Sequence, residues 1–132
     1  MSIAESFYNY TSNNSSIAAV CSSIFPETIP QNFSAFPAAS YSIVGDSDIP
    51  LLNGSRSDTH QATVQISIYA TSFKTANDIA AVFKAQLIGY RGTFGSHTAD
   101  HIQKEGGGEL TLPPEPNTGL YGVRLSLEIS YY

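Results

Sequence analysis

Charge is scarce in this chain: only 13% of its 132 residues are charged, and the basic ones are the rarer kind, 6 Lys and Arg against 11 Asp and Glu. The six bases (Arg56, Lys74, Lys84, Arg91, Lys104 and Arg124) are scattered rather than clustered. Proteins that grip a phosphate backbone concentrate basic side chains in a patch, often interleaved with aromatics. A net charge of −5 therefore excludes a nucleic-acid reader, while leaving open a weakly acidic conduit through which DNA passes without adhering. Cysteine is nearly absent. With Cys21 alone no intrachain disulfide is possible, which fits a reducing compartment such as a host cytosol. Flanked by Ile17, Ala18, Ala19 and Val20, that thiol reads as a small buried hydrophobe. The first residues lack the basic start and apolar core of a secretory signal. No apolar run approaches the ~20 residues of a membrane helix, so no membrane partner is expected.

Signatures of catalysis are also missing. There is no Gly-x-Ser-x-Gly, and Cys21 has none of the contexts of a nucleophilic cysteine. The run Gly106, Gly107, Gly108 is not followed by Lys-Ser or Lys-Thr and is not framed by a strand-to-helix switch, so it is no phosphate loop. It reads as a hinge. Asp46, Asp48 and Asp58 lack the spacing, central Gly and closing Glu of a calcium loop. The best catalytic or metal-ligating candidates are His97, Asp100 and His101. On a helix the two histidines would share a face, but the zinc-protease pattern needs Glu after the first His and position 98 is Thr. The segment reads as strand, with His97 and His101 on one face and Asp100 on the other. No metal and no cofactor are expected.

What is present points to a packed core. Hydrophobic residues make up 42% of the chain, with 8 Tyr and 7 Phe, unlike a disordered sequence. The length suits one domain over 1–132. Two segments alternate with period 2: Ala62, Val64, Ile66, Ile68 and Ala70 against Thr63, Gln65, Ser67 and Tyr69, and Tyr121 through Tyr131 in the same manner. Such alternation predicts an antiparallel sheet with one face on a core. Between them, Ala76, Ile79, Ala80, Phe83 and Leu87 form the apolar stripe of a helix over about 73–88, capped by Thr71 or Ser72 and ended by Gly89. A short helix over 2–11, a helical turn near 17–21, a Pro-rich connector over 26–38 and strands over 39–44 and 97–103 complete the α+β expectation. Residues 45–58 read as a loop or flexible hairpin, and 104–118 as a flexible segment. The last strand alternates over roughly 40 Å at ~3.3 Å per residue. Either part of it reaches a neighbour or projects as an arm, or it is bent and frayed.

The order of these elements, with certain residues, resembles the tail-completion proteins of long-tailed bacteriophages, also called tail terminators or head–tail joining proteins. The matching stretches are Ile24-Phe25-Pro26, the strand entered from Pro37 to Tyr41, Val64 through Thr71 leading into the helix with Ala76 and Ala80, Tyr90-Arg91-Gly92, and Gly119 through Ile129. Together they cover nearly the whole chain. Two departures concern contact residues: Gly122 stands where such proteins often carry a base, and the glycine run is a local elaboration. The resemblance implies a virion protein that forms a ring, commonly hexameric, on the head-proximal end of the tail tube. There it would stop tube growth and meet a neck or connector protein, with DNA only passing through the lumen. The expected assembly or lumen residues are Asp46, Asp48, Arg56, Asp58, Lys104, Glu105, Glu109 and Glu115, on segments that order in the ring. A different neck adaptor, or a small α+β enzyme using His97, Asp100 and His101, remain as alternatives.

Overall fold

The structure, a computed structural model, describes residues 2–27, 29, 36–50, 56–112 and 119–132, and the side chains at 46–50, 56–59, 105–108 and 112 lie outside that description. Two helices come first. In α1 (Ile3–Asn13) Ser2 caps the N-terminus by accepting from the Glu5 amide at 3.2 Å, and Ile3, Ser6, Phe7 and Thr11 form the buried face. Asn14 ends α1 and begins α2 (Ser15–Val20), its side chain accepting from the Ser16 and Ile17 amides. One Asn thereby serves both helices, since its short side chain competes well for free backbone donors.

Six strands form one sheet in the order β1-β2-β3-β6-β5-β4. They are β1 (Ile24–Pro26), β2 (Ala38–Pro50), β3 (Arg56–Ala70), β4 (Gly92–Phe94), β5 (His97–Leu112) and β6 (Tyr121–Tyr131). The expectation of a purely antiparallel sheet is corrected at one edge: β1 runs parallel to β2, with Ile24, Phe25 and Pro26 beside Ala39, Ser40 and Tyr41. A parallel pair cannot be joined by a tight hairpin and needs a long return, which the Pro-rich 26–38 stretch supplies.

The 15-residue α3 (Phe73–Leu87) lies across one face of the sheet, capped by Ser72, whose hydroxyl accepts from the Thr75 amide at 3.1 Å. Its stripe of Ala76, Ile79, Ala80, Phe83 and Leu87 is buried against Val64, Ile66, Ile68, Leu125, Leu127 and Ile129. Just past the end, Gly89 has φ +84, a conformation glycine adopts without strain. From there its N–H reaches Ile102 O at 2.9 Å and ties the helix end to β5. Phe7, Tyr10, Tyr41 and Phe94 bring α1 onto the same face, with Phe7–Tyr41 and Tyr10–Phe94 ring centroids each 5.0 Å apart.

Strand replaces part of two segments. Of the loop or flexible hairpin read at 45–58, residues 45–50 and 56–58 take the hairpin form, extending β2 and β3 into a ribbon paired from Gly45–Thr63 to Pro50–Arg56. Residues 104–112 continue β5, and the glycine run is accommodated by a shift of register between Lys104, opposite Leu127, and Glu109, opposite Leu125. Glycine is weak in a strand but tolerates the bulged backbone such a shift requires. The remaining parts of the two expected mobile segments, 51–55 and 113–118, lie outside the described residues.

Candidate assembly surfaces

Alternation along β3 and β6 gives the sheet a second face with a different chemistry. On it stand Thr63, Gln65, Ser67 and Tyr69 of β3 and Arg124, Ser126, Glu128 and Ser130 of β6, all half-buried. Of these eight residues only Arg124 and Glu128 are charged. Glu128 Oε1 accepts from Gln61 Nε2 on β3 and from Gln103 Nε2 on β5 at 3.4 Å, tying three strands across the face. Arg124 stands opposite Ser67, and its buried Nε has no hydrogen-bond partner among the described residues. A buried donor without an acceptor costs about 1–3 kcal/mol until something accepts from it. Beside it on β5, Leu110 is 54% exposed.

The residues expected at a lumen or seam fall on three places rather than two loops. Asp46 and Asp48 are in β2, opposite Ala62 and His60. Arg56 pairs with Pro50 at the outer part of the ribbon, and Asp58 follows in β3. Lys104 is exposed opposite Leu127, Glu105 belongs to the shifted stretch of β5, and Glu115 lies outside the described residues. Glu109 has an intrachain partner: its two carboxylate oxygens accept from Lys84 Nζ on α3 at 3.0 and 2.9 Å, both side chains being partly buried. Sequence reasoning missed that pair because the hinge reading of 106–108 put Glu109 in a loop.

The histidine constellation is not assembled. A bulge between Ala99, opposite Tyr131, and His101, opposite Ser130, breaks the two-residue period of β5. His97 and His101 therefore stand on opposite faces, correcting the expectation of a shared one. His97 Nδ1 is 2.7 Å from the Ser6 hydroxyl, and its ring meets Tyr131 edge-on at 5.0 Å. His101 Nε2 is 2.9 Å from Gln103 Oε1, while Asp100 meets Arg91 at 3.4 Å. Among the described residues no three His, Cys, Asp or Glu side chains group as a metal site. Cys21 is buried, and burial pushes its thiol up to about 11, so it is a poor nucleophile near neutrality.

One groove of about 750 Å³ runs between the end of α1 and the end of α3, lined by Asn9, Tyr10, Asn13, Asn14, Gln86 and Tyr90 among others. Its amides are occupied with each other: Asn13 Nδ2 donates to Asn9 Oδ1 at 2.6 Å, and Asn14 Nδ2 to Gln86 Oε1 at 3.1 Å. Tyr10 donates to Gln86 O at 2.7 Å, and burial raises its phenol above the usual range. These named groups offer no acid–base pair.

No family model matches the chain. No curated protein matches it. Among solved structures, the fold is similar to that of a chain in the virion of a native gene transfer agent particle, with TM-score 0.70 and 14% identity over 95% of this chain and 90% of that one. No helix among the described residues is long and apolar enough to cross a membrane.

Proposed function

We propose that this chain is a structural virion protein, not an enzyme, which forms a homo-oligomeric ring of six copies at the head-proximal end of a phage tail tube. It ends tube polymerisation there and joins the tail to the neck or connector protein of the head. The observation that carries this reading is the fold likeness to a virion chain, which spans nearly all of both chains at 14% identity. The resemblance of the sequence to tail-completion proteins narrows it to this position.

The chemistry of the surfaces is in keeping with the reading. The outer face of β3 and β6 is polar and almost uncharged, so a neighbour can cover it at modest desolvation cost. A net charge of −5 suits a ring through which DNA passes without being held. Electron microscopy of particles made without this protein tests the assignment. Headless tails of abnormal length are expected, and tails of normal length would remove the terminator role in favour of a neck adaptor.

A further inference from the structure

Where α1 meets the β1–β2 edge, two acids and two tyrosines come together. Glu5 and Tyr8 stand three residues apart on α1, so both rise from the same side of the helix. Glu27 follows β1 at φ +64, a left-handed conformation uncommon outside glycine. Two hydrogen bonds hold it there: its N–H donates to Tyr41 O at 2.8 Å, and its Oε2 accepts from Ser42 Oγ at 3.1 Å. Glu5, Tyr8 and Glu27 are all exposed. Neither carboxylate has a basic partner among the described residues, whereas Lys74, Lys84 and Arg91 are each engaged by an acid of the same chain.

Tyr41 gives this corner its direction. The residue is only 6% exposed, its ring packed on Phe7 at 5.0 Å and stacked with Tyr8 at 6.3 Å and 26°. Its phenol nevertheless has no hydrogen-bond partner among the described residues, and it faces Tyr8, Glu27 and Glu5. Burial raises the phenol above its usual range, and those three neighbours add to the rise. It therefore remains a neutral hydroxyl, its oxygen open to an N–H donor.

We propose that Glu5, Tyr8, Glu27 and Tyr41 form a seat for an arginine side chain of a basic partner protein. A guanidinium carries five N–H donors in one plane, enough for two carboxylates and a phenol oxygen, and it stacks on an exposed aromatic face. Tyr8, 45% exposed, supplies that face. A lysine ammonium brings three donors and no plane, so it fits less well. The acids repel a phosphate or any other anion. The arginine comes from another protein rather than from a second copy, since copies at net −5 repel one another while a basic partner is drawn in. The seat needs no ring, so the isolated subunit tests it whether or not the tail reading holds.

The probe is a short capped peptide with two arginines, titrated by nuclear magnetic resonance beside its lysine and citrulline counterparts. The arginine peptide should move the ring signals of Tyr8 and Tyr41 first. The lysine peptide should bind about threefold more weakly, and the citrulline peptide, of the same shape without the charge, about tenfold more weakly. Glu27→Gln should weaken arginine-peptide binding about fivefold and Tyr41→Phe about threefold. Both variants should keep the wild-type melting temperature, because neither group supports the subunit's own core. Glu128→Gln, on the outer face of the sheet, should bind as the unaltered protein does. Equal weakening by Glu128→Gln would show a diffuse attraction to an acidic surface and overturn the seat. Equal binding of the citrulline peptide would overturn it as well. Tyr8 and Tyr41 signals that move with protein concentration alone would put a second copy in the seat and overturn its assignment to a partner.

Discussion

The two faces of this sheet are cut from the same strands and do opposite jobs. On the helix-covered side Val64, Ile66, Ile68, Leu125, Leu127 and Ile129 are each at most 1% exposed, packed beneath Phe83, Ile79 and Leu87. On the outer side Gln65, Ser67, Ser126 and Ser130 are half-buried by their own neighbours and covered by no helix among the described residues. Burying a Leu or Ile side chain is worth about 1.5–3 kcal/mol, whereas a half-buried Ser contributes little beyond its hydrogen bonds. One face therefore carries most of the stability of the fold, and the other contributes little to it.

Adjacent residues of β6 give the widest separation. Leu125→Ala should lower unfolding stability by about 2–5 kcal/mol, because the cavity lies between two strands and α3 and cannot collapse. Ser126→Ala, one residue on and facing out, should stay within about 0.5 kcal/mol. Denaturant midpoints of the two variants measure the contrast. Comparable losses would mean that the outer face is also a core and that the division drawn here is wrong.

This division was legible in the sequence wherever alternation was unbroken. The buried sets on β3 and β6, the α3 stripe and the Ser72 cap follow from period, composition and cap chemistry, and they form as the periodicity predicts. What stayed hidden involves a break in period or a distant partner. The bulge after Ala99 inverts His101 relative to His97, and no local composition announces it. Glycine and acidic residues at 104–109 suggest a loop locally, yet pairing with β6 and the Lys84 contact hold the stretch in the sheet. The parallel seat of β1 depends on Tyr41 and Ala39, which no nearby pattern specifies. Of the expected assembly residues, sequence could identify charged, turn-rich stretches but not the strands they extend.

Gly95, in the turn joining β4 to β5, sharpens the comparison at the edge of the covered face. It has φ +61, and a Cβ there would lie 2.6 Å from Ser6 Cα and 2.7 Å from Ser6 Oγ. Ser6 is fully buried and hydrogen-bonded to His97. Gly95→Ala should therefore cost about 1–3 kcal/mol in backbone strain and push α1 outward, loosening the Ser6–His97 contact. Nuclear magnetic resonance chemical shifts of the His97 ring in the variant, alongside thermal unfolding, would register both effects. An unchanged melting temperature and unchanged His97 signals would show that α1 is only lightly held.

The smallest expected effect concerns the charged pair at the margin of the covered face. Glu109 was expected at a lumen or subunit boundary, yet its carboxylate is engaged by Lys84 within the same chain, with relative side-chain exposures of 27% and 31%. A partly exposed pair of this kind contributes less than about 1 kcal/mol, and added salt weakens it. Glu109→Gln should accordingly lower subunit stability by about 0.5 kcal/mol, with the difference shrinking as ionic strength rises. Ring formation, if the proposed function holds, should be unaffected, because the carboxylate is already engaged within its own chain. The measurement is a pair of denaturation curves at low and high salt, with native mass spectrometry on the same samples. If Glu109→Gln leaves the monomer untouched but abolishes the ring, the carboxylate belongs to the seam, and the Lys84 contact is displaced on assembly. If it weakens the monomer alone, Glu109 serves to pin β5 under α3.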